Sequence, residues 1–265
     1  MNNYKMVFLP KKDKEIDSEK AADLIDWLIT ALHKNGQIIP SYDITKKGKK
    51  YFAGIVCPDI KGLNEKYDNE YVNKYYTELR EFFDIRIVSN GYNLEFSAIC
   101  KCKSPSWYYL LNPPFSANSP VICGDCDLSV PLFRLPHLDK DKEYSSIESW
   151  KQGYKGVDNL WFYGRYDAFA YRQMSNPKSK LSKDGIRVCR DYEKAMKKPF
   201  YYYLNYYEKD FISDICGVKC VQTDGVCPIC GKAWERIDSG YADFRCLECR
   251  LIANDVTIKE ESKED

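Results

Sequence analysis

Two Cys-x-x-Cys pairs near the carboxyl end, Cys227-Pro228-Ile229-Cys230 and Cys246-Leu247-Glu248-Cys249, limit what this chain can fold into more than any other feature. Fifteen residues separate the pairs. At that spacing each pair can bend into a knuckle and present two sulfurs, at about 2.3 Å, to one tetrahedral metal ion. Gly231 suits the tight end of the first knuckle. Residues 233–237, the turn-prone Asp238-Ser239-Gly240 and residues 241–245 read as a hairpin holding the pairs face to face. The expectation is a four-thiolate zinc ribbon. Zinc is then a local brace, because 265 residues can bury a core without staples.

Twelve cysteines would suit a small disulfide-bonded secreted domain, but this chain is large, and its early apolar run Met6-Val7-Phe8-Leu9 is cut by Pro10 and lysines. A reducing cytoplasm is the expected setting. No apolar run approaches the roughly 18 residues of a membrane span, so no membrane partner is expected. The formal charge is +1, which excludes a global basic field of the kind that drives nonspecific nucleic-acid binding. Any such contact must be local.

The first hundred residues alternate in a recognisable order. Residues 4–9 read as a strand; Asp17 or Ser18 can cap a helix with Ala21, Leu24, Ile25, Leu28 and Leu32 on one face, ending at Gly36. Residues 37–44 and 51–57 read as strands joined by a turn through Lys46-Lys47-Gly48-Lys49-Lys50, residues 69–83 as a second helix and residues 84–88 as a further strand. The order β-α-β-β-α-β predicts a ferredoxin-like sandwich over residues 1–95 within an α+β protein. The turn lysines can touch phosphates, or simply form a solvated turn.

A second cysteine set lies in the middle of the chain. Residues 94–99 alternate like a strand and run into Cys100-Lys101-Cys102, and Cys123-Gly124-Asp125-Cys126 follows after an aromatic stretch at Trp107-Tyr108-Tyr109-Leu110-Leu111. Cys100, Cys102, Cys123 and Cys126 form a second candidate zinc site, with Cys102, Cys123, Cys126 and His137 as an alternative ligand set and buried thiols as the bland reading. One zinc ion is expected and two are compatible with the spacing. Four thiolates close the position that a catalytic zinc keeps open, and His33 and His137 are the chain's only histidines, so the expectation is a protein that is not an enzyme. Asp125 and Glu248 stand inside the cysteine pairs, where solvated carboxylates are ordinary.

Residues 157–174 and 184–196 read as helices, with Ile186, Cys189 and Met196 as core candidates. Trp161, Phe162, Tyr163, Tyr166, Phe169 and Tyr171 exceed what one narrow stripe can bury. Arg165, Arg172, Arg187 and Arg190 lie among or close behind them, a mixture that can stack bases and hold phosphates of a single strand, or serve as core with solvated ends. Residues 200–206 read as a strand leading to the ribbon. Cys57, Cys189, Cys216 and Cys220 are left outside both ligand sets. The implied division is the sandwich at 1–95, a β-then-helical lobe at 96–215, the ribbon at 216–258 and a charged tail at 259–265.

Both cysteine sets in their surroundings resemble a family. The carrying stretches are Ser119-Pro120-Val121-Ile122-Cys123-Gly124-Asp125-Cys126 with Val130-Pro131-Leu132-Phe133-Arg134-Leu135-Pro136, and Cys227-Pro228-Ile229-Cys230-Gly231-Lys232-Ala233-Trp234 with Phe244-Arg245-Cys246-Leu247-Glu248-Cys249-Arg250-Leu251. They are similar to the bacterial family of uncharacterised zinc-ribbon-containing proteins with a suggested nucleic-acid-binding role. The resemblance implies zinc at the later set and no reaction. On the residues themselves, Lys232, Trp234, Arg236, Arg245 and Arg250 are the ribbon side chains suited to RNA or single strands; the other reading is a rigid surface for a protein partner, an adaptor or inhibitor.

Overall fold

The structure, a computed structural model, describes residues 1–93, 98–114, 116–138, 142–206, 225–237 and 239–254, the side chains of 40–42 excepted. It divides into two compact units, one of Met1–Ile99, Phe115–Ser119 and Ser129–Ser145, the other of Cys100–Pro114, Pro120–Leu128 and Ser146–Asp265.

In the first unit the chain runs β1 (Asn2–Pro10), α1 (Ser18–Lys34), β2 (Ile39–Lys47), β3 (Lys50–Cys57), α2 (Glu70–Phe82) and β4 (Phe83–Tyr92). Helix α1 starts where the Asp17 carboxylate accepts the N–H groups of Glu19 and Lys20, and α2 where Asn69 accepts that of Val72. After α1 the chain turns through Gly36 at φ +68°, where a Cβ would lie 2.5 Å from Leu132 Cβ, so glycine is required. The four strands form one antiparallel sheet in the order β2-β3-β1-β4. Tyr4, Met6 and Phe8 alternate onto the face that β3 extends with Tyr51, Ala53 and Ile55. Leu24, Ile25, Leu28 and Leu32 of α1 and Val72, Tyr76 and Leu79 of α2 complete the same core, so both helices cover one face. The strand expected over 94–99 falls mostly outside the described residues; Ile99 forms an isolated parallel bridge with Ser129.

The second unit holds β5 (Tyr108–Leu110), β6 (Val121–Cys123), α3 (Ser145–Phe162), α4 (Asp167–Ser175), α5 (Lys180–Met196), β7 (Phe200–Leu204), β8 (Glu235–Arg236), β9 (Phe244–Cys246) and β10 (Leu251–Ala253). Its six strands form a single sheet in the order β6-β5-β7-β10-β9-β8. Strand β7 lies at its heart, parallel to both β5 and β10. All five residues of β7 are buried, as a parallel strand covered on both faces requires. Tyr201 and Tyr203 face a cluster with Tyr109, Leu111, Ile122, Ala242 and Ile252. Tyr202 meets Trp150 of α3 edge-on.

Residues 157–174, expected as one helix, are the end of α3 and the whole of α4. The chain breaks where Gly164 and Tyr166 take left-handed φ of +61° and +55°. Arg165 N–H reaches Leu160 O and Gly164 N–H reaches Trp161 O, a pair of bonds that closes a helix end. In α5, Ile186 and Cys189 are buried, whereas Met196 is half-buried. Helix α5 approaches β7 at Gly185, where a Cβ would fall 2.1 Å from Tyr202 Cε2 and 2.6 Å from Trp150 Nε1. Gly185→Ala is therefore expected to destabilise the protein by about 1–3 kcal/mol through overpacking, despite alanine's better helix propensity; a lower urea midpoint checks it, and an unchanged or raised one contradicts it.

Candidate metal centres

Both cysteine groups are built on the six-stranded sheet. Cys123 ends β6 opposite Tyr108, and Cys246 ends β9 opposite Leu251. Four inter-strand steps separate β6 from β9, roughly 19 Å at the usual spacing. The groups are thus two separate candidate sites rather than one cluster.

In each group the four sulfur atoms lie within 4.8 Å of one another: Cys100, Cys102, Cys123 and Cys126 in one, Cys227, Cys230, Cys246 and Cys249 in the other. Sulfurs at about 2.3 Å from a shared tetrahedral ion stand about 3.8 Å apart. Cys230 Sγ and Cys246 Sγ are 3.6 Å apart, far beyond the about 2.05 Å of a disulfide, and all eight thiols are free. The donor set therefore fits a metal ion. Burial pushes the Cys100 and Cys246 thiols up to about 11 and raises Cys123 and Cys249 also. The Lys232 backbone N–H lowers half-buried Cys230. A cation gathering these sulfurs displaces their protons, and four thiolates leave no coordination position for substrate.

Local geometry explains the Cys-x-x-Cys spacing. All three such pairs are followed by a residue in the left-handed region: Asp127 at φ +54°, Gly231 at +71° and Arg250 at +54°. Glycine adopts this without penalty, whereas other residues must be held there. Asp127 is held by its carboxylate: Oδ1 accepts Tyr109 O–H at 2.8 Å and Ser239 Oγ–H at 2.7 Å, and Oδ2 accepts Gly240 N–H at 2.7 Å. The Cys123–Cys126 turn is thereby fastened to the turn between β8 and β9. Arg250 is held by Glu193 of α5, its Nε donating at 2.9 and 3.0 Å, while Glu193 also accepts Phe200 N–H at the start of β7. At the first centre Gly124 lies flat under Trp107, where a Cβ would be 2.0 Å from the indole.

His137, the alternative ligand, hydrogen-bonds Asn35 Oδ1 at 2.9 Å and packs on Tyr144 in the first unit, and Cys100 takes its place in the sulfur group. His33 lies in the last turn of α1. Asp125 accepts Ser106 N–H at 2.8 Å, and Glu248 pairs with Lys232. Cys57 and Cys189 are buried thiols; Cys216 and Cys220 lie outside the described residues.

Of the five side chains near the second cysteine group suited to nucleic acid, three are paired with carboxylates. Lys232 pairs with Glu248, Arg245 donates two bonds to Glu235 at 2.8 and 2.9 Å, and Arg250 is committed to Glu193. Trp234 is 9% exposed. Arg236 is exposed and forms no ion pair among the described residues. The α3–α4 turn contrasts with this: Phe162, Tyr163, Tyr166 and Phe169 are 50–76% exposed beside exposed Arg165, whereas Tyr171 is buried and Trp161 half-buried. Arg172 bonds Ala168 O, and Arg187 pairs with Asp184 at 3.6 Å. Arg190 is exposed. Reading by residue type misses Asp127 and Glu193; the only signal for Asp127 is its place directly after a knuckle, where the first ribbon pair has Gly231.

A family model described as a domain of unknown function (DUF2310) matches residues 102–206, and a second such model (DUF8589) matches residues 4–86. An uncharacterized protein of Haemophilus influenzae is 26% identical over 256 residues, covering 91% of this chain and 93% of that protein. Another from the same organism is 26% identical over 180 residues, covering 65% and 82%. Among solved structures, a conserved protein of unknown function from Bacteroides thetaiotaomicron, described as a possible oxidoreductase, is similar at 11% identity and a TM-score of 0.27, over 34% of this chain and 95% of that one. No helix among the described residues is long and apolar enough to cross a membrane.

Asp127→Ala is expected to remove three charge-assisted hydrogen bonds and leave a non-glycine left-handed residue unsupported, lowering stability by about 2–4 kcal/mol. Asp127→Asn, which keeps one acceptor oxygen and tolerates the same backbone, should fall between. Urea denaturation of the three proteins measures this, and an alanine variant as stable as the parent would disprove the fastening.

Proposed function

We propose that each cysteine group holds one structural zinc ion and that the protein is a cytoplasmic, non-enzymatic binding protein for single-stranded nucleic acid, RNA foremost. The knuckles, the short hairpin and the 15-residue spacing support reading the carboxyl-terminal site as a zinc ribbon. The β-α-β-β-α-β order and the β2-β3-β1-β4 sheet support reading the first unit as ferredoxin-like.

Four gathered cysteine sulfurs are a donor set that suits zinc. Cys227, Cys230, Cys246 and Cys249 would hold one ion, and Cys100, Cys102, Cys123 and Cys126 the other. When bound, zinc fixes strand ends and supplies no open site.

The observation that carries the partner is the α3–α4 turn. Four rings offered to solvent within eight residues, with Arg165 among them, form a stacking surface that tolerates any base. The near-neutral chain and the carboxylate-paired ribbon cations place little weight on phosphates, so binding rests on stacking more than on charge. The same rings with an arginine also suit a protein partner, where aromatic and arginine side chains anchor interfaces.

Metal analysis of purified protein is expected to return two zinc ions per chain, and Cys227→Ser or Cys123→Ser one. A metal-free but folded protein would end the structural-zinc reading. A fluorescently labelled single-stranded RNA should bind with a shallow salt dependence, about one to two in log Kd per log salt for two phosphate contacts. Phe162→Ala/Tyr163→Ala/Tyr166→Ala should weaken it at least about tenfold. Binding absent even at low salt would reject RNA, and a stoichiometric protein retained after nuclease treatment would select the protein partner.

A further inference from the structure

The lysine-rich turn between β2 and β3 takes on a specific place in the fold. It lies beside the loop leading into α1 and helps enclose a cleft of about 520 Å³ in the first unit, within the range of small-molecule sites. Lys14, Lys46 and Lys49 line it, with Glu15 and Asp17 on the same rim. Its apolar lining is Pro10, Ile16, Tyr51 and Phe83. Tyr51 and Phe83 are 5% and 1% exposed and meet edge to face at 5.7 Å, so this floor is fixed by the core.

Charge distinguishes this end of the molecule. Residues 11–20 and 46–50 together contain eight lysines and four carboxylates, a local +4 in a chain of net +1. Among the described residues, Lys14, Lys46 and Lys49 form no ion pair. Lys46 Nζ instead donates to Ser18 Oγ at 2.6 Å and lies 5.5 Å over the Tyr51 ring. The first N–H groups of α1 are taken by Asp17, so the helix end is not the anchor; the ammonium groups are. Three ammonium groups without an ion pair, over an apolar floor, select a ligand with an anionic end and an apolar, flat body.

We propose that this cleft binds a terminal nucleoside phosphate, with Lys14, Lys46 and Lys49 on the phosphate and the base or ribose against Ile16 and Tyr51. The shared chemistry comes either from a free mononucleotide or from the 5′-phosphorylated end of a strand. The site belongs to the first unit and does not rest on the ring surface or the cysteine centres proposed above.

Titration calorimetry with AMP, adenosine, inorganic phosphate and a short RNA bearing a 5′-phosphate or a 5′-hydroxyl tests it on the full chain. AMP should bind at one site, at least about tenfold tighter than adenosine or phosphate alone. Lys46→Ala/Lys49→Ala, both exposed and away from the core, should weaken AMP at least about tenfold, with Lys74→Ala on α2 as the control that leaves it unchanged. A 5′-phosphate RNA that binds tighter than AMP and depends on the same lysines identifies a chain end as the source; AMP as the tighter ligand identifies a free nucleotide. The proposal is overturned if AMP does not saturate by about 5 mM, if phosphate alone binds as well as AMP, or if the double variant binds AMP like the parent.

Discussion

Strand β7 carries the second unit. Its neighbours β5 and β10 run parallel to it, and each is paired in turn with a strand that ends in a metal-site cysteine, β6 at Cys123 and β9 at Cys246. Thiols have no attraction that would gather four of them, so some other force must bring them together before a cation can. Backbone pairing on both sides of β7 does so, and the all-buried Phe-Tyr-Tyr-Tyr-Leu sequence supplies the apolar area that holds the arrangement against chain entropy. Each cysteine group thus lies on one wing of a frame built around β7.

The wings are secured unequally. Glycine solves the left-handed position in one knuckle; Asp127 and Arg250 solve it in the others with side-chain bonds that also reach distant elements. Glycine costs little strain but contributes no contact, whereas a clasped aspartate or arginine converts a strained turn into a junction. Asp127 joins the first centre to the ribbon turn, and Glu193 joins α5, β7 and the second centre. Neither acid belongs to either group of four sulfurs, so their part is positional rather than ligating.

The sequence makes the local order of the first unit legible because its signals are local: an aspartate or asparagine cap, helical spacing of apolar residues, and a glycine turn between strands. The sulfur groups are legible because two short spacings encode each. The join between the middle lobe and the ribbon is not. The β7–β10 pairing links residues some 50 positions apart through three-residue contacts, Leu251 with Tyr202 and Ala253 with Leu204, and three residues carry no readable period. The break between α3 and α4 is hidden for a different reason: Gly164 marks it, but Tyr166 in a left-handed conformation is unreadable from residue type.

Net charge misleads in the same way, because it sums what geometry separates. Lys232, Arg236, Arg245 and Arg250 look like a basic surface in one dimension, yet Glu248, Glu235 and Glu193 pair with three of them in the fold. Lys14, Lys46 and Lys49 at the end of the first unit form no ion pair among the described residues, although Glu15 and Asp17 share their cleft. Among the described residues, a chain of net +1 thus keeps a lysine-rich cleft in one compact unit and a solvent-facing group of rings in the other. Screening limits either to short range in salt, about 8 Å at physiological ionic strength. Charge of this kind acts through close contact rather than through attraction at a distance.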